Sequence, residues 1–322
     1  MNWQKRLLVF QIPALVFLIS AFIAASKAED APRGIVLIGW DGAQRNHINE
    51  MLAANQLPIL AALAKDGTRI DIDVITGATD TKAGWAQILT GYAPDKSGVY
   101  GNDRYRPIPA GYTIFERLEK FFGPENIETA AIISKIKNLD TDGPKNAQTP
   151  GKPYYHTKNN VDLFVNGLLE NEKVGAKVME QLEAWKNKRF FIFVHFAQPD
   201  QAGHKYGENA QEFSDALKLD DLWTGKIIAK LKELKIYDKT LVYVAVDHGF
   251  DEGKTSHYYA PYVFLAANDK KVNRNGARED IAPTILKRFG MDLSKIEPRL
   301  DGIPLDESAP DRKAPAGKSQ EK

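Results

Sequence analysis

An α/β fold with a mostly parallel central sheet and helices on both faces is what the 322-residue sequence predicts, on three observations. Apolar runs of strand length alternate with segments of helical period through residues 33–305. The clearest runs are almost continuously apolar, as strands covered on both faces are. The composition is globular: 43% hydrophobic and 10% aromatic residues exclude a disordered or low-complexity chain. A net charge of +1 gives no reason to expect nucleic acid or an anionic membrane as a partner, and no pattern sets an oligomeric state. The absence of cysteine excludes disulfides, thiolate-bound metal, iron–sulfur clusters and a cysteine nucleophile.

The elements follow in chain order. Lys5 and Arg6 precede an apolar run from Leu7 to Ala25, and Ser26-Lys27-Ala28 supplies a small-x-small cleavage pattern. Residues 1–28 are therefore expected to be a signal peptide, with an N-terminal anchor as the alternative, since the run is long enough to span a bilayer. Either reading puts the folded part outside the cytoplasm, as a secreted, periplasmic or membrane-anchored domain. Ile35 to Ile38 is the first strand, Ile70 to Ile75 the next, and a helical segment ends at Leu89-Thr90-Gly91. Thr129 to Ile133 is strand-like. Residues 138–160, rich in Gly, Pro, Asn, Asp and Lys, read as a long loop or small cap. The stripe Val174, Val178, Leu182 and Trp185 predicts a helix before the strand Phe190 to Phe196. A second stripe (Leu219, Leu222, Trp223, Ile227, Leu231, Leu234) predicts another before Leu241 to Val246. Pro261 to Ala267 is the last apolar stretch, and residues 306–322 read as a disordered tail. There are no internal repeats.

Acidic residues fall where these strands end. Asp41 follows the first strand, Asp200 follows Phe190–Phe196, and Asp247 follows Leu241–Val246 with His248 beside it. Ligands of open α/β sheets bind outside the carboxyl ends of strands, so the three carboxylates are expected on one rim. One such aspartate is most simply a helix cap or turn residue; three, with histidines at short spacing, are not. His204 lies four residues after Asp200, and His257 precedes the last apolar stretch. Carboxylates mixed with imidazoles suit zinc in sites that keep open positions. His47, at a helix start, and His195, inside a strand, read as structural, while His156 in the cap region is a candidate pocket residue, with an exposed loop histidine as the simpler reading. Thr76, Thr79 and Thr81 all precede the helix that ends at Thr90. A hydroxyl at a helix N-terminus faces unpaired N–H groups, which suits an alkoxide, a bound phosphate or simply a cap. Helix chemistry leaves the three threonines equivalent.

From about Gly34 to Leu305 the chain resembles the alkaline-phosphatase superfamily, most closely its nucleotide pyrophosphatase/phosphodiesterase branch. The resemblance is carried by Trp40-Asp41-Gly42, Leu89-Thr90-Gly91 with Pro94 and Gly98-Val99, Asp200-x-x-x-His204-x-x-Gly207, Asp247-His248-Gly249 and His257. It implies a nucleophile nine residues before the Thr-Gly threonine, which selects Thr81, and an Asn about twenty residues later that steadies a phosphoryl oxygen, which selects Asn102. It implies two Zn²⁺ ions, one on Asp200, His204 and His257, the other on Asp41, Asp247, His248 and the Thr81 oxygen. The activity implied is hydrolysis of a small-molecule phosphoester through a phospho-threonine, with a phosphomonoesterase of the same fold as the alternative. A sulfatase-like hydrolase or an inactive binding protein is a more distant one. Ala83 and Trp85 stand where sulfatases carry Pro and Arg, and no Cys can become formylglycine. Gly84 departs from the Asn of the animal phosphodiesterases. Lys135-x-Lys137 resembles the Lys-x-Arg pair with which monoesterase members meet the extra phosphate charge; a solvated basic turn is the simpler reading.

Overall fold

The computed structural model describes residues 31–136, 152–154, 157–310 and 312. Eight strands form one sheet: β1 (Gly34–Trp40), β2 (Thr68–Asp73), β3 (Glu128–Ile133), β4 (Leu163–Val165), β5 (Phe190–Phe196), β6 (Thr240–Ala245), β7 (Tyr262–Ala267) and β8 (Gly276–Ala277). Their order is β4-β3-β5-β1-β6-β7-β2-β8. Only β7 runs antiparallel, against both β6 and β2. Every residue of β1 and β5 is buried, as expected of central strands covered on both faces.

Helices cover the sheet: α1 (Arg45–Ala53), α2 (Pro58–Asp66), α3 (Thr81–Thr90), α4 (Pro94–Ser97), α5 (Ile114–Phe122), α6 (Asn171–Trp185), α7 (Gln198–Tyr206), α8 (Gln211–Glu233) and α9 (Ile281–Arg288). Helix α5 begins in a capping box, with Thr113 and Glu116 exchanging side-chain and backbone hydrogen bonds. The α6 stripe Val174, Val178, Leu182 and Trp185 is buried. On α8 the stripe is rotated from its expected place: Leu222 is half exposed, and the buried positions include Asp220, Asp221 and Thr224. Those polar residues have inward partners. Asp221 accepts from the Ile59 and Leu60 amides at the start of α2 (3.1 and 2.7 Å), and Asp220 accepts from Asn171. A pattern based on apolar residues alone misses a helix face that caps another helix.

All ten residues of α3 are buried, so this short helix passes through the interior under the site. Gly84 permits it, because a Cβ there would lie 2.5 Å from Asp247 Cβ. Part of the segment expected as a tail is packed: Asp306 pairs with Arg288 and Lys287, and Arg312 with Asp280. Residues 1–30 and most of the 138–160 insertion, including His156, lie outside the described residues, as does Lys137. Among the described residues no helix is long and apolar enough to cross a membrane.

Candidate metal and phosphoryl-transfer site

The parallel strands deliver their ends to one rim. Asp41 leaves β1 with its N–H on the Phe196 carbonyl (2.9 Å), and its own carbonyl accepts from the Asp200 N–H (3.1 Å). The turns after β1 and β5 are thus tied together. Gly42 (φ +81°) makes the approach possible, since a Cβ there would sit 3.1 Å from Asp200 Cα, and its N–H donates to Asp247 Oδ1 (3.2 Å). Asp200 and His204 lie one turn apart on α7, on the same helix face.

His248 Nε2 is the centre of the cluster. It lies 3.4 Å from Asp41 Oδ1, 3.5 Å from Asp247 Oδ2, 3.7 Å from Asp200 Oδ1 and 3.3 Å from Thr81 Oγ1. The His248 Nδ1 sits 2.9 Å from the Gly249 carbonyl. A carbonyl only accepts, so Nδ1 carries a proton and Nε2 is the nitrogen turned to the carboxylates and Thr81, where it could serve as a ligand. His204 is fixed likewise, Nδ1 on the Thr255 carbonyl (2.9 Å), with Nε2 facing Asp200 Oδ1 (3.4 Å) and His257 Nε2 (3.2 Å). Two donor groups result: Asp200, His204 and His257 in one, Asp41, Asp200 and His248 in the other. Asp200 belongs to both, with Asp247 and Thr81 beside the second. All seven residues expected as ligands are therefore together.

Three carboxylate oxygens (Asp41 Oδ1, Asp200 Oδ1, Asp247 Oδ2) are buried with no hydrogen-bond partner among the described residues. Buried carboxylate oxygens are ordinarily satisfied, and these belong to the carboxylates of the expected ligand set, so the donor set fits bound cations. The clustered charges also shift one another's titration. Burial and then the Asp41 charge push Asp247 up to about 7. Burial would lower the His248 ring, but Asp247 and Asp41 outweigh it and raise it to about 9. Burial and then His248 pull His257 down to about 4. Burial would raise Asp41, yet Lys135, His195 and His248 hold it well below the usual carboxylate range.

Thr81 is the first residue of α3, and its hydroxyl faces the cluster. Thr79 instead donates to the His257 carbonyl, and Thr76 is held by Gln87. Asn102 is anchored at the start of α3: its Oδ1 accepts from the Lys82 N–H (3.1 Å) and its N–H donates to Asp80 (2.9 Å). Lys135 is not on a solvated turn. Its ammonium lies 2.7 Å from both Asp41 Oδ2 and Asp200 Oδ2 and 3.2 Å from Thr81 Oγ1, with the side chain 15% exposed.

The sequence profile of the Type I phosphodiesterase / nucleotide pyrophosphatase family matches residues 35–299. The chain belongs to that family. It is 25% identical over 228 residues to human ectonucleotide pyrophosphatase/phosphodiesterase family member 1, covering 69% of this chain and 24% of the human protein. It is 24% identical over 245 residues to mouse bis(5'-adenosyl)-triphosphatase enpp4, covering 75% and 52%. The chain thus spans about a quarter to a half of these relatives. A putative sulfatase of Bacteroides fragilis superposes with a TM-score of 0.63 at 14% identity, over 86% of this chain and 77% of that one. The alkaline phosphatase of the Antarctic bacterium TAB5 gives 0.55 at 14%, over 82% and 99%. Both likenesses place the fold in the alkaline-phosphatase and sulfatase group.

Two residues of this phosphodiesterase-family chain escaped the sequence reading. His195 is not merely structural, because its Nε2 lies 2.9 Å from Asp41 Oδ2. Burial keeps the ring neutral, so it donates a proton to that oxygen and turns Oδ1 toward His248. The signal was a lone imidazole in an otherwise apolar strand, paired in register with Gly39 two residues before Asp41. Arg278, fully buried under the site, is the other. A cleft of about 920 Å³ between Arg33, Arg189, Lys287 and Arg288 opens instead at the amino ends of β1, β5 and β6, away from this chemistry.

Proposed function

We propose that this chain is an exported, zinc-dependent phosphoric ester hydrolase that transfers the phosphoryl group of a small-molecule diester or pyrophosphate through Thr81. The observation that carries the reading is the approach of a helix-terminal hydroxyl, Thr81 Oγ1, to a histidine nitrogen ringed by partnerless carboxylate oxygens. Asp200, His204 and His257 would hold one zinc, and Asp41, Asp247, His248 and the Thr81 oxygen the other. When bound, such ions supply Lewis-acid stabilisation of the charge on attacking and leaving oxygens and lower the pKa of bound water.

The chain's own groups do the rest. The unpaired N–H groups and dipole of α3 favour an anionic oxygen at Thr81, and the Lys135 ammonium adds a positive charge 3.2 Å from it. Asn102, with Oδ1 engaged, has its remaining side-chain donors on Nδ2, suited to a non-bridging phosphoryl oxygen. Thr81 loses its hydroxyl proton and forms the Oγ–P bond as the leaving-group oxygen departs with the bonding pair and takes up a proton. Water then attacks the same phosphorus, and the Thr81 oxygen leaves as the hydroxyl is restored. The exported location rests on the leader pattern of residues 1–28.

Lys135 favours a second reading, a phosphomonoesterase. Its charge, held beside Thr81, would offset the additional negative charge of a monoester, although a lysine lacks arginine's fork of donors. The test is a panel of aryl phosphate mono- and diesters on zinc-loaded wild type and Lys135→Ala. Faster diester turnover, with the substitution lowering both rates by factors equal within about threefold, supports the first reading. A loss at least about tenfold greater on monoesters supports the second. No zinc-dependent turnover of either class would overturn both.

A further inference from the structure

Arg278 stands in the turn between β8 and α9 with its side chain fully buried. Taking a guanidinium out of water is costly unless its donors are matched, and a carboxylate is the usual partner. Here the partners are different. Nε donates to Gln87 Oε1 (2.7 Å), Nη1 to the Asp247 carbonyl (2.6 Å), and Nη2 to the carbonyls of Thr76 (3.1 Å) and Ala78 (3.0 Å). The acidic neighbours are committed elsewhere: Asp280 pairs with Arg274 (3.0 Å) and Glu279 lies 3.7 Å from Arg312. Burial lowers the guanidinium only to about 10, so it stays charged at neutral pH.

Those four contacts fall on three separate segments. Thr76 and Ala78 belong to the loop that leads into Thr81, Gln87 lies in the middle of α3, and Asp247 follows β6 beside His248. Gln87 closes the arrangement by donating back to the Thr76 carbonyl and hydroxyl (2.9 Å each). Among the described residues no backbone hydrogen bond joins the loop to the turn after β6; α3 meets Asp247 by close packing at Gly84, and Arg278 adds the hydrogen bonds that tie loop, helix and turn together. Arg's planar fork fixes several acceptors at once, which a lysine ammonium does not.

We propose that Arg278 is a positioning residue that sets the register between the Thr81 helix and the Asp247–His248 pair. The proposal rests on the reading of Thr81 as nucleophile and Asp247 and His248 as zinc ligands. A displacement of about 1 Å at a reacting group can cost about a hundredfold in rate.

The experiment uses the full chain as wild type, Arg278→Lys, Arg278→Met and Gln87→Leu. Zinc affinity of the metal-free proteins is measured by competition with a chromophoric chelator, and kcat and KM on a chromogenic diester, all well below each melting temperature. Both Arg278 variants are expected to bind zinc at least about tenfold more weakly and to lose about a hundredfold in kcat with KM within about threefold. Gln87→Leu should show the same pattern at a smaller size, with zinc bound about fivefold more weakly and kcat about tenfold lower. Zinc affinity within about twofold of wild type in the folded Arg278 variants overturns the proposal, whatever happens to the melting temperature. If neither Arg278 variant folds, Gln87→Leu decides by the same criterion. A wild type inactive on every phosphoester would sink the proposed function, while the zinc titration alone would still decide on Arg278.

Discussion

Thr81 differs from Thr79, two residues away, only in what surrounds it. The Thr79 hydroxyl is spent on the His257 carbonyl, whereas Thr81 Oγ1 meets His248 Nε2 and Lys135 Nζ. Thr81→Ala is therefore expected to lower kcat by at least about 10³-fold. It should leave zinc content near that of wild type, since Asp41, Asp247 and His248 keep the second donor group. Metal analysis and single-turnover kinetics on the same preparation check both halves. A Thr81→Ala protein that retains activity while Thr79→Ala loses it would move the nucleophile to Thr79. At this scale the acids were readable in advance because Asp41, Asp200 and Asp247 each follow an apolar strand closely. His195 was not, because a buried histidine in a strand carries the same pattern whether or not a carboxylate faces it. Arg278 left no trace either, since its partners are mainly backbone carbonyls, and carbonyls have no letter in a sequence.

Helix α5 and strands β3 and β4 meet at a pair of carboxyl groups away from the site. Thr129 on β3 donates to Glu119 of α5 (3.1 Å) and its amide to Asp162 (2.7 Å). Burial and then the Asp162 charge push Glu119 up from 4.5 to about 7. A carboxyl whose pKa is raised by folding stabilises the folded state while protonated. That contribution is complete below the ordinary value and lost as pH rises through about 7. Glu119→Gln, neutral throughout, should accordingly gain melting temperature relative to wild type between pH 5 and pH 8. Equal differences at the two pH values, read by calorimetry, would show that the two carboxyls do not repel. The elements themselves were largely foreseeable from apolar runs and periodicity. The direction of β7 was not, because an apolar strand reads alike in either sense, nor was the polar face of α8, whose Asp221 caps α2 across the chain.

The whole molecule turns on strand direction. β1, β3, β5 and β6 run parallel and end at one rim, and β7 starts there because it runs the other way, so His257 enters the site from the loop before it. The order β3-β5-β1-β6 sets Lys135, Asp200, Asp41 and Asp247 in a row along that rim, and α3 drives Thr81 up beneath them. The proposed two-step exchange of oxygens would take place along this row. The measurement that tests this most directly is the stereochemical course at phosphorus, with a diester made chiral by sulfur and oxygen-isotope substitution. Two in-line displacements, the first by Thr81 and the second by water, predict overall retention of configuration. Inversion would mean that water attacks the substrate in a single step, and Thr81 would then be no nucleophile.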